Sequence, residues 1–287
     1  MTTRIPPRLQ RLCDDAAIFP PGNMPLEQAV RTHVDHSLSD YRKVLGPFIV
    51  PGAKLDAVRE FTTDLPDRSV WLAVTVPSPA ALGEALAAAI SIPAIRLAGA
   101  EVAIPDDVDV AEVIPALEAA LRHAGVDETE IYVEVPRDER RIPLLDALAD
   151  SDFYAKFRTG GVEAHMYPDA GELADAILGA VSRHLPFKAT AGLHHAIRNT
   201  DPEGRGFEQH GFLNLFVATD AARQGKDREQ LIQWLEERDG AVVAAAIRDL
   251  TEERAVAARA SFTSFGTCSI LEPLDEMVGL GLIEGAS

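Results

Sequence analysis

Three short stretches carry charged side chains where a buried strand normally holds apolar ones. Ile131-Tyr132-Val133-Glu134-Val135 contains Glu134, Tyr154-Ala155-Lys156-Phe157-Arg158 contains Lys156 and Arg158, and Phe187-Lys188-Ala189-Thr190 contains Lys188. Successive side chains of a strand point to opposite faces, so the apolar residues take one face and the charges the other. If the three stretches are staves of a barrel, the apolar face meets helices and Glu134, Lys156, Arg158 and Lys188 converge inside. Burial disfavours an ammonium, and a second cation nearby disfavours it further, so one lysine is expected to be partly neutral near physiological pH. A neutral amine attacks carbonyl carbon, which is the requirement for Schiff-base catalysis with a carboxylate or water moving the protons. The alternative for the same residues is a structural ion-pair cluster in which Glu134 only neutralises the cations.

The elements that must position these residues follow from periodicity. Short β-branched or apolar runs at 16–19, 48–50, 70–75, 95–97, 131–135, 154–158, 187–190 and near 262–265 alternate with amphipathic stretches. That alternation predicts an α/β protein with a parallel sheet, and eight strands in 287 residues match a (β/α)8 TIM barrel. A doubly wound sheet is the other architecture, although no G-x-G-x-x-G follows the first strand. No linker or composition break divides the chain, so 1–287 reads as a single domain. Helix starts are legible at Ser78-Pro79 and at Asp169, three residues before Glu172, with Leu173, Ile177 and Val181 on one face. The stretch 193–260 exceeds one loop and helix: a polar segment at 198–210 precedes helical patterns near 212–222, 231–235 and 241–250. It reads as an elaborated connection after strand seven, a helical insertion or lid over the active face.

Lys+Arg of 27 against Asp+Glu of 45 leaves a net charge of −18, a field that repels phosphate backbones and anionic bilayers. Nucleic-acid and membrane partners are therefore not expected. Residues 1–15 lack the apolar core of a signal peptide, and the apolar tract 80–92 is interrupted by Glu84, so a cytoplasmic protein is expected. Two cysteines, Cys13 and Cys268, make neither a zinc cluster nor a disulfide framework. Association into a homo-oligomer is compatible with this composition.

Several of these motifs resemble the deoxyribose-phosphate aldolases, class I Schiff-base aldolases on a (β/α)8 barrel. Ser151-Asp152-Phe153-Tyr154-Ala155-Lys156-Phe157-Arg158-Thr159-Gly160 is similar to that family's strand-six segment, with its reactive lysine four residues before glycine. Phe187-Lys188-Ala189-Thr190-Ala191-Gly192 is similar to the strand-seven segment, and Phe265-Gly266-Thr267-Cys268-Ser269-Ile270-Leu271 to the strand-eight loop. Residues 131–134 resemble the fifth strand, and Asp14 with Pro20 the opening of the first. The resemblance implies that Lys156 forms the Schiff base, that Lys188 lowers its pKa, and that backbone N–H groups at 266–269 receive a phosphate. The chain departs from the family at three places. The strand-four aspartate would fall near Arg96; Phe157 and Arg158 stand where small hydroxyl residues usually follow the lysine; and Leu193-His194-His195 replaces a short turn.

Other residues complete the candidate site. Ser269 precedes Glu272 by a capping-box spacing, so free N–H groups and the hydroxyls of Thr267 and Ser269 suit a phosphate or carboxylate. Arg96 and Arg158 add cations, and Thr159, Gly160, Gly161, Thr190, Gly192 and Gly266 complete the expected anion-binding set. His194 and His195, like Glu134, are candidates for moving protons. His165 and His210 lie elsewhere, and adjacent histidine side chains diverge, so no metal is expected, nor any organic cofactor. Cys268 reads as a small thiol rather than a nucleophile, and Asp14-Asp15 as a loop cap. The expected activity is an aldolase-like carbon–carbon lyase acting on a small anionic carbonyl substrate. Its rivals are a group-transfer enzyme for a phosphorylated substrate and a non-catalytic ligand-binding barrel, for which Arg96 at the aspartate position is the best argument.

Overall fold

Eight parallel strands close on themselves in the order β1-β10-β7-β6-β5-β4-β3-β2, where β1 is Cys13–Asp15, β2 Leu45–Pro51, β3 Val70–Val76, β4 Ile95–Val102, β5 Glu130–Glu134, β6 Tyr154–Arg158, β7 Phe187–Thr190 and β10 Phe262–Thr267. This is a (β/α)8 barrel. The computed structural model describes residues 4–126, 129–200 and 206–284. Helices α1 (Leu26–Leu38), α2 (Leu55–Phe61), α3 (Leu82–Ile90), α4 (Val110–Ala124), α5 (Arg141–Ala149) and α6 (Ala170–Ser182) alternate with the first seven strands, and α11 (Leu271–Gly279) follows the last. Among the described residues, no helix is long and apolar enough to cross a membrane.

The strand residues facing the helices, such as Val70, Leu72, Val74, Ile131, Val133, Ala155, Phe187 and Ala189, are fully buried. They are the apolar half of the alternation, and removing them from water supplies the main drive for closing the two layers. Helix α6 shows how the sequence delimits an element. The Asp169 side chain accepts a hydrogen bond from the Glu172 N–H at 2.7 Å, a cap worth about 1 kcal/mol, and Leu173 and Ile177 turn inward. Gly125, at φ +66°, closes α4 in the left-handed conformation that favours glycine.

Two strands depart from simple alternation. The first strand is Cys13–Asp15 rather than 16–19, so Asp14 and Asp15 lie in the barrel wall and not in a loop. In β4, Leu97 pairs with Leu72 but Gly99 pairs with Ala73, so Ala98 is an extra residue, a β-bulge. A Cβ on Gly99 would come within 2.3 Å of the Glu130 carbonyl oxygen, which is why the neighbouring strand admits only glycine there.

The segment after β7 forms a two-residue ribbon, β8 (Asn199–Thr200) with β9 (Glu208–Gln209), then α7 (Phe212–Arg223), α8 (Arg228–Glu236), α9 (Gly240–Arg248) and α10 (Glu252–Ser261). The expected lid does not appear among the described residues; positions 201–205 of the segment lie outside them. Helix α7 packs against α6, α8, α9, α10 and β10. Every residue from Phe212 to Ala222 is buried, and Phe212 stacks on Phe265 with ring centroids 4.4 Å apart. A helix covered on all sides belongs to a thickened outer layer, not to a flap over the mouth.

Candidate functional site

At the C-terminal mouth a cavity of about 710 Å³ opens between the strand ends. Lys156, Glu134, Arg158, Glu101 and His194 all reach it, with Thr190, Gly161, Gly192 and Gly266. The alternation expected for β5, β6 and β7 therefore holds, because Glu134 pairs in register with Lys156 and Lys156 with Lys188.

The two lysines meet at one carboxylate. Lys156 Nζ lies 3.0 Å from Glu101 Oε2 and 2.9 Å from Glu134 Oε2. Lys188 Nζ lies 2.5 Å from Glu101 Oε1 and 2.6 Å from Asp14 Oδ2, and the Ser264 hydroxyl donates to the same Asp14 oxygen at 2.6 Å. Beneath them, the Tyr132 ring centroid is 5.2 Å from Lys188 Nζ, and the Tyr132 hydroxyl lies 3.1 Å from both Glu130 Oε2 and Thr263 Oγ1. Lys188, only 2% exposed, does not line the cavity and is sealed behind Glu101. Lys156 lies at the cavity wall, and Arg158 stands further out with its side chain 42% exposed. The Arg158 Nε donates to the Gly160 carbonyl at 3.0 Å, while its Nη1 is 3.8 Å from Glu134.

Electrostatics correct the expected amine. Burial pulls Lys156 toward the neutral form, but Glu101 and Glu134 outweigh it and hold the pKa above the ordinary lysine value. Burial acts likewise on Lys188, and Asp14 and Glu101 overcome it and raise its pKa. Glu101 in turn is brought down to about 2, since two ammonium groups override the burial that would raise it. Glu134 is lowered by Lys156 and Arg158 against burial, whereas burial prevails at Asp14 and raises it over the pull of Lys188 and Ser264. In the resting protein both lysines are ammonium ions. Lys188 does not depress Lys156, because the carboxylate between them screens one from the other.

Glu101 was not among the expected site residues, because the expected strand, 95–97, ends before it whereas β4 runs on to Val102. Strict alternation from Arg96 through β4 would turn Glu101 away from the interior; the extra residue at Ala98 brings it back. Gly99 inside an apolar run was the available signal. Asp14 was hidden by the misplaced first strand. Gly46 makes room for it, since a Cβ there would come within 2.0 Å of the Asp14 carboxylate. Asp15, one residue on, faces outward and binds His33 of α1 at 2.9 Å.

Arg96 is a correction in the other direction. It pairs with Trp71 near the N-terminal end of the strands, is exposed, and its guanidinium lies 5.0 Å over the Trp71 ring. It is at the opposite end of the barrel from the cavity and holds nothing there. His195 also points elsewhere: its Nδ1 lies 2.6 Å from Glu276 of α11, whose second oxygen accepts the Ala196 N–H. The Thr159 hydroxyl donates to the Ala191 carbonyl, and that of Thr267 to the Ser269 carbonyl. The Ser269 hydroxyl accepts the Glu272 N–H at 3.3 Å. Those hydroxyls serve the chain's own turns. Gly160 and Gly192 let two loops touch, as a Cβ on Gly160 would sit 2.7 Å from the Gly192 Cα.

Cys268, by contrast, lines the cavity, and its Sγ is 3.3 Å from His194 Nδ1. Among the described residues, no three His, Cys, Asp or Glu side chains converge as metal ligands. No protein-family model matches the sequence, and no curated protein matches it.

Proposed function

We propose that the protein is a carbonyl-processing enzyme of the aldolase kind, with Lys156 forming a Schiff base to a small anionic carbonyl substrate. The observation that carries this reading is one amine at the wall of a cavity, hydrogen-bonded to a buried carboxylate and to a half-buried one, with a second lysine sealed behind. The resemblance to deoxyribose-phosphate aldolases supports the same reading.

The amine must first lose a proton, and Glu134 is the acceptor the geometry offers. It is half-buried, 2.9 Å from Lys156, and its pKa is held down partly by Arg158. A substrate anion that pairs with Arg158 weakens that hold, so Glu134 takes the proton and Lys156 becomes a neutral nucleophile. The amine adds to the carbonyl carbon to give a carbinolamine. Glu134 then returns its proton to the departing hydroxyl, releasing water and leaving an iminium. Glu134, again a carboxylate, accepts the proton of a β-hydroxyl as the adjacent carbon–carbon bond breaks, and the iminium receives the electron pair as an enamine. Glu101 stays ionised throughout and stabilises the iminium, as it stabilises the ammonium before it.

Borohydride reduction with a panel of aldehydes and α-keto acids, followed by peptide mass mapping, tests this. An adduct on Lys156 that is absent in Lys156→Ala is expected; no adduct on any member of the panel overturns it. A second reading treats the amines only as charges that hold a phosphorylated substrate or ligand, and the carboxylates that keep both lysines protonated favour it. That reading expects phosphorylated ligands to raise the Tm in the absence of any adduct.

A further inference from the structure

The cavity has two unlike halves. The charged side chains stand on β4, β5 and β6, while the other wall is built from the segment that follows β1 and from the C-terminal ends of β2 and β3 with the residues just beyond them. That wall presents Phe19, Ile49 and four prolines, Pro20, Pro21, Pro51 and Pro77. Proline has no N–H, so those positions cannot donate a hydrogen bond. Several donors nearby are already used: the Phe19 N–H binds the Ala16 carbonyl, the Asn23 N–H binds the Phe19 carbonyl, and one N–H of the Asn23 side-chain amide donates to the Pro21 carbonyl. Asn23 and Thr75 are the polar side chains on that side.

From this we infer that the substrate carries an apolar body, aryl or alkyl, between its carbonyl and the rest of the wall, and is not a polyhydroxylated sugar phosphate. The inference rests on the Schiff-base reading for the position of the carbonyl, and on the wall chemistry alone for the body. A hydroxyl-rich chain laid against Phe19 and the prolines finds few donors for its oxygens, whereas a ring or methylene chain loses nothing and leaves water. The size agrees, since about 710 Å³ falls among cavities that enclose ligands larger than a three-carbon aldehyde. Arg158 at the rim supplies the charge for a carboxylate or phosphate at the other end.

Isothermal titration with straight-chain carboxylates from butanoate to octanoate, and with 3-phenylpropanoate, reads the wall without needing any covalent step. Affinity is expected to rise about fourfold per added methylene until the wall is filled. Phe19→Ala and Ala53→Asp, at a half-buried and an exposed rim position, should flatten that series while the circular dichroism spectrum stays that of the parent. A flat series in the parent protein, or preference for deoxyribose 5-phosphate over 3-phenylpropanoate, overturns the inference. Borohydride trapping with phenylpyruvate and with glyceraldehyde 3-phosphate separates it from the catalytic reading. Steep chain-length dependence with no Lys156 adduct from these or any other member of the carbonyl panel leaves the apolar wall standing and ends the Schiff-base mechanism. An adduct formed preferentially with glyceraldehyde 3-phosphate does the reverse.

Discussion

Replacing Glu101 by Gln keeps the side chain's shape and removes the one charge shared by both lysines. Glu101 is 4% exposed and its pKa is lowered from 4.5 to about 2, which corresponds to about 3 kcal/mol of stability at neutral pH. Breaking a buried ion pair by removing one partner has a cost of the same order, ~3–5 kcal/mol. For a barrel of this length each kcal/mol moves the Tm by roughly 2–4 °C, so Glu101→Gln should melt about 6–12 °C lower than the parent near pH 7. The sign with pH follows from the direction of the shift. A carboxylate with a depressed folded-state pKa contributes stability that is complete above its unfolded value and is lost as pH falls through the folded one. The Tm gap between parent and variant should therefore close as the pH drops from about 4.5 toward about 2. The substitution also strips Lys156 of one of the two carboxylates that keep it protonated, so its labelling by a small acylating reagent at neutral pH should quicken. An unchanged Tm together with unchanged labelling would mean that Glu101 does not lie ionised between two ammonium groups, and the electrostatic account of the site would fall.

In the parent protein, acylation of Lys156 should rise about tenfold per pH unit between about pH 7 and 9, because its pKa is raised rather than depressed; a plateau below about pH 8 would reverse that assignment. Lys188, sealed behind Glu101, should stay unlabelled in the folded state. Iodoacetamide should alkylate Cys268 in the cavity and spare Cys13, which is fully buried with its thiol pKa pushed up by burial, and His194→Gln should slow the reaction at neutral pH. Peptide mapping that finds Cys13 modified first would contradict this placement. Arg96→Ala should lose its contact with Trp71 but leave every Lys156 adduct unaffected, since it lies at the far end of the barrel; a lost adduct would show that the two ends communicate.

Much of the fold could be read from local pattern. The interior positions of β5, β6 and β7 follow from alternation alone, because Val133, Ala155 and Ala189 mark the helix side on either flank of each charge. The cap at Asp169 and the run of α6 were equally plain. Legibility failed where one residue changed the period. The bulge at Ala98 reverses the face of everything after it in β4, and the apolar run 95–97 stops short of Glu101, so neither run length nor alternation points to that residue. A first strand only three residues long was too brief to announce itself beside the apolar run that follows it, and Asp14 went with it. The insertion looked like a lid because its helices are apolar, yet α7 is apolar on all sides because it is packed between other helices.

Composition and periodicity by themselves determined an alternating α/β chain with a parallel sheet and put two lysines on the charged face of their strands; closure of the sheet into a barrel is a tertiary fact. Side-chain alternation is a property of the backbone over a few residues, and no distant contact is needed to state it. Tertiary structure decided which carboxylates surround those lysines, and hence that both are held toward the ammonium form. Charge interactions depend on distance through space, and residues 14, 101, 134, 156 and 188 become neighbours only when the sheet closes.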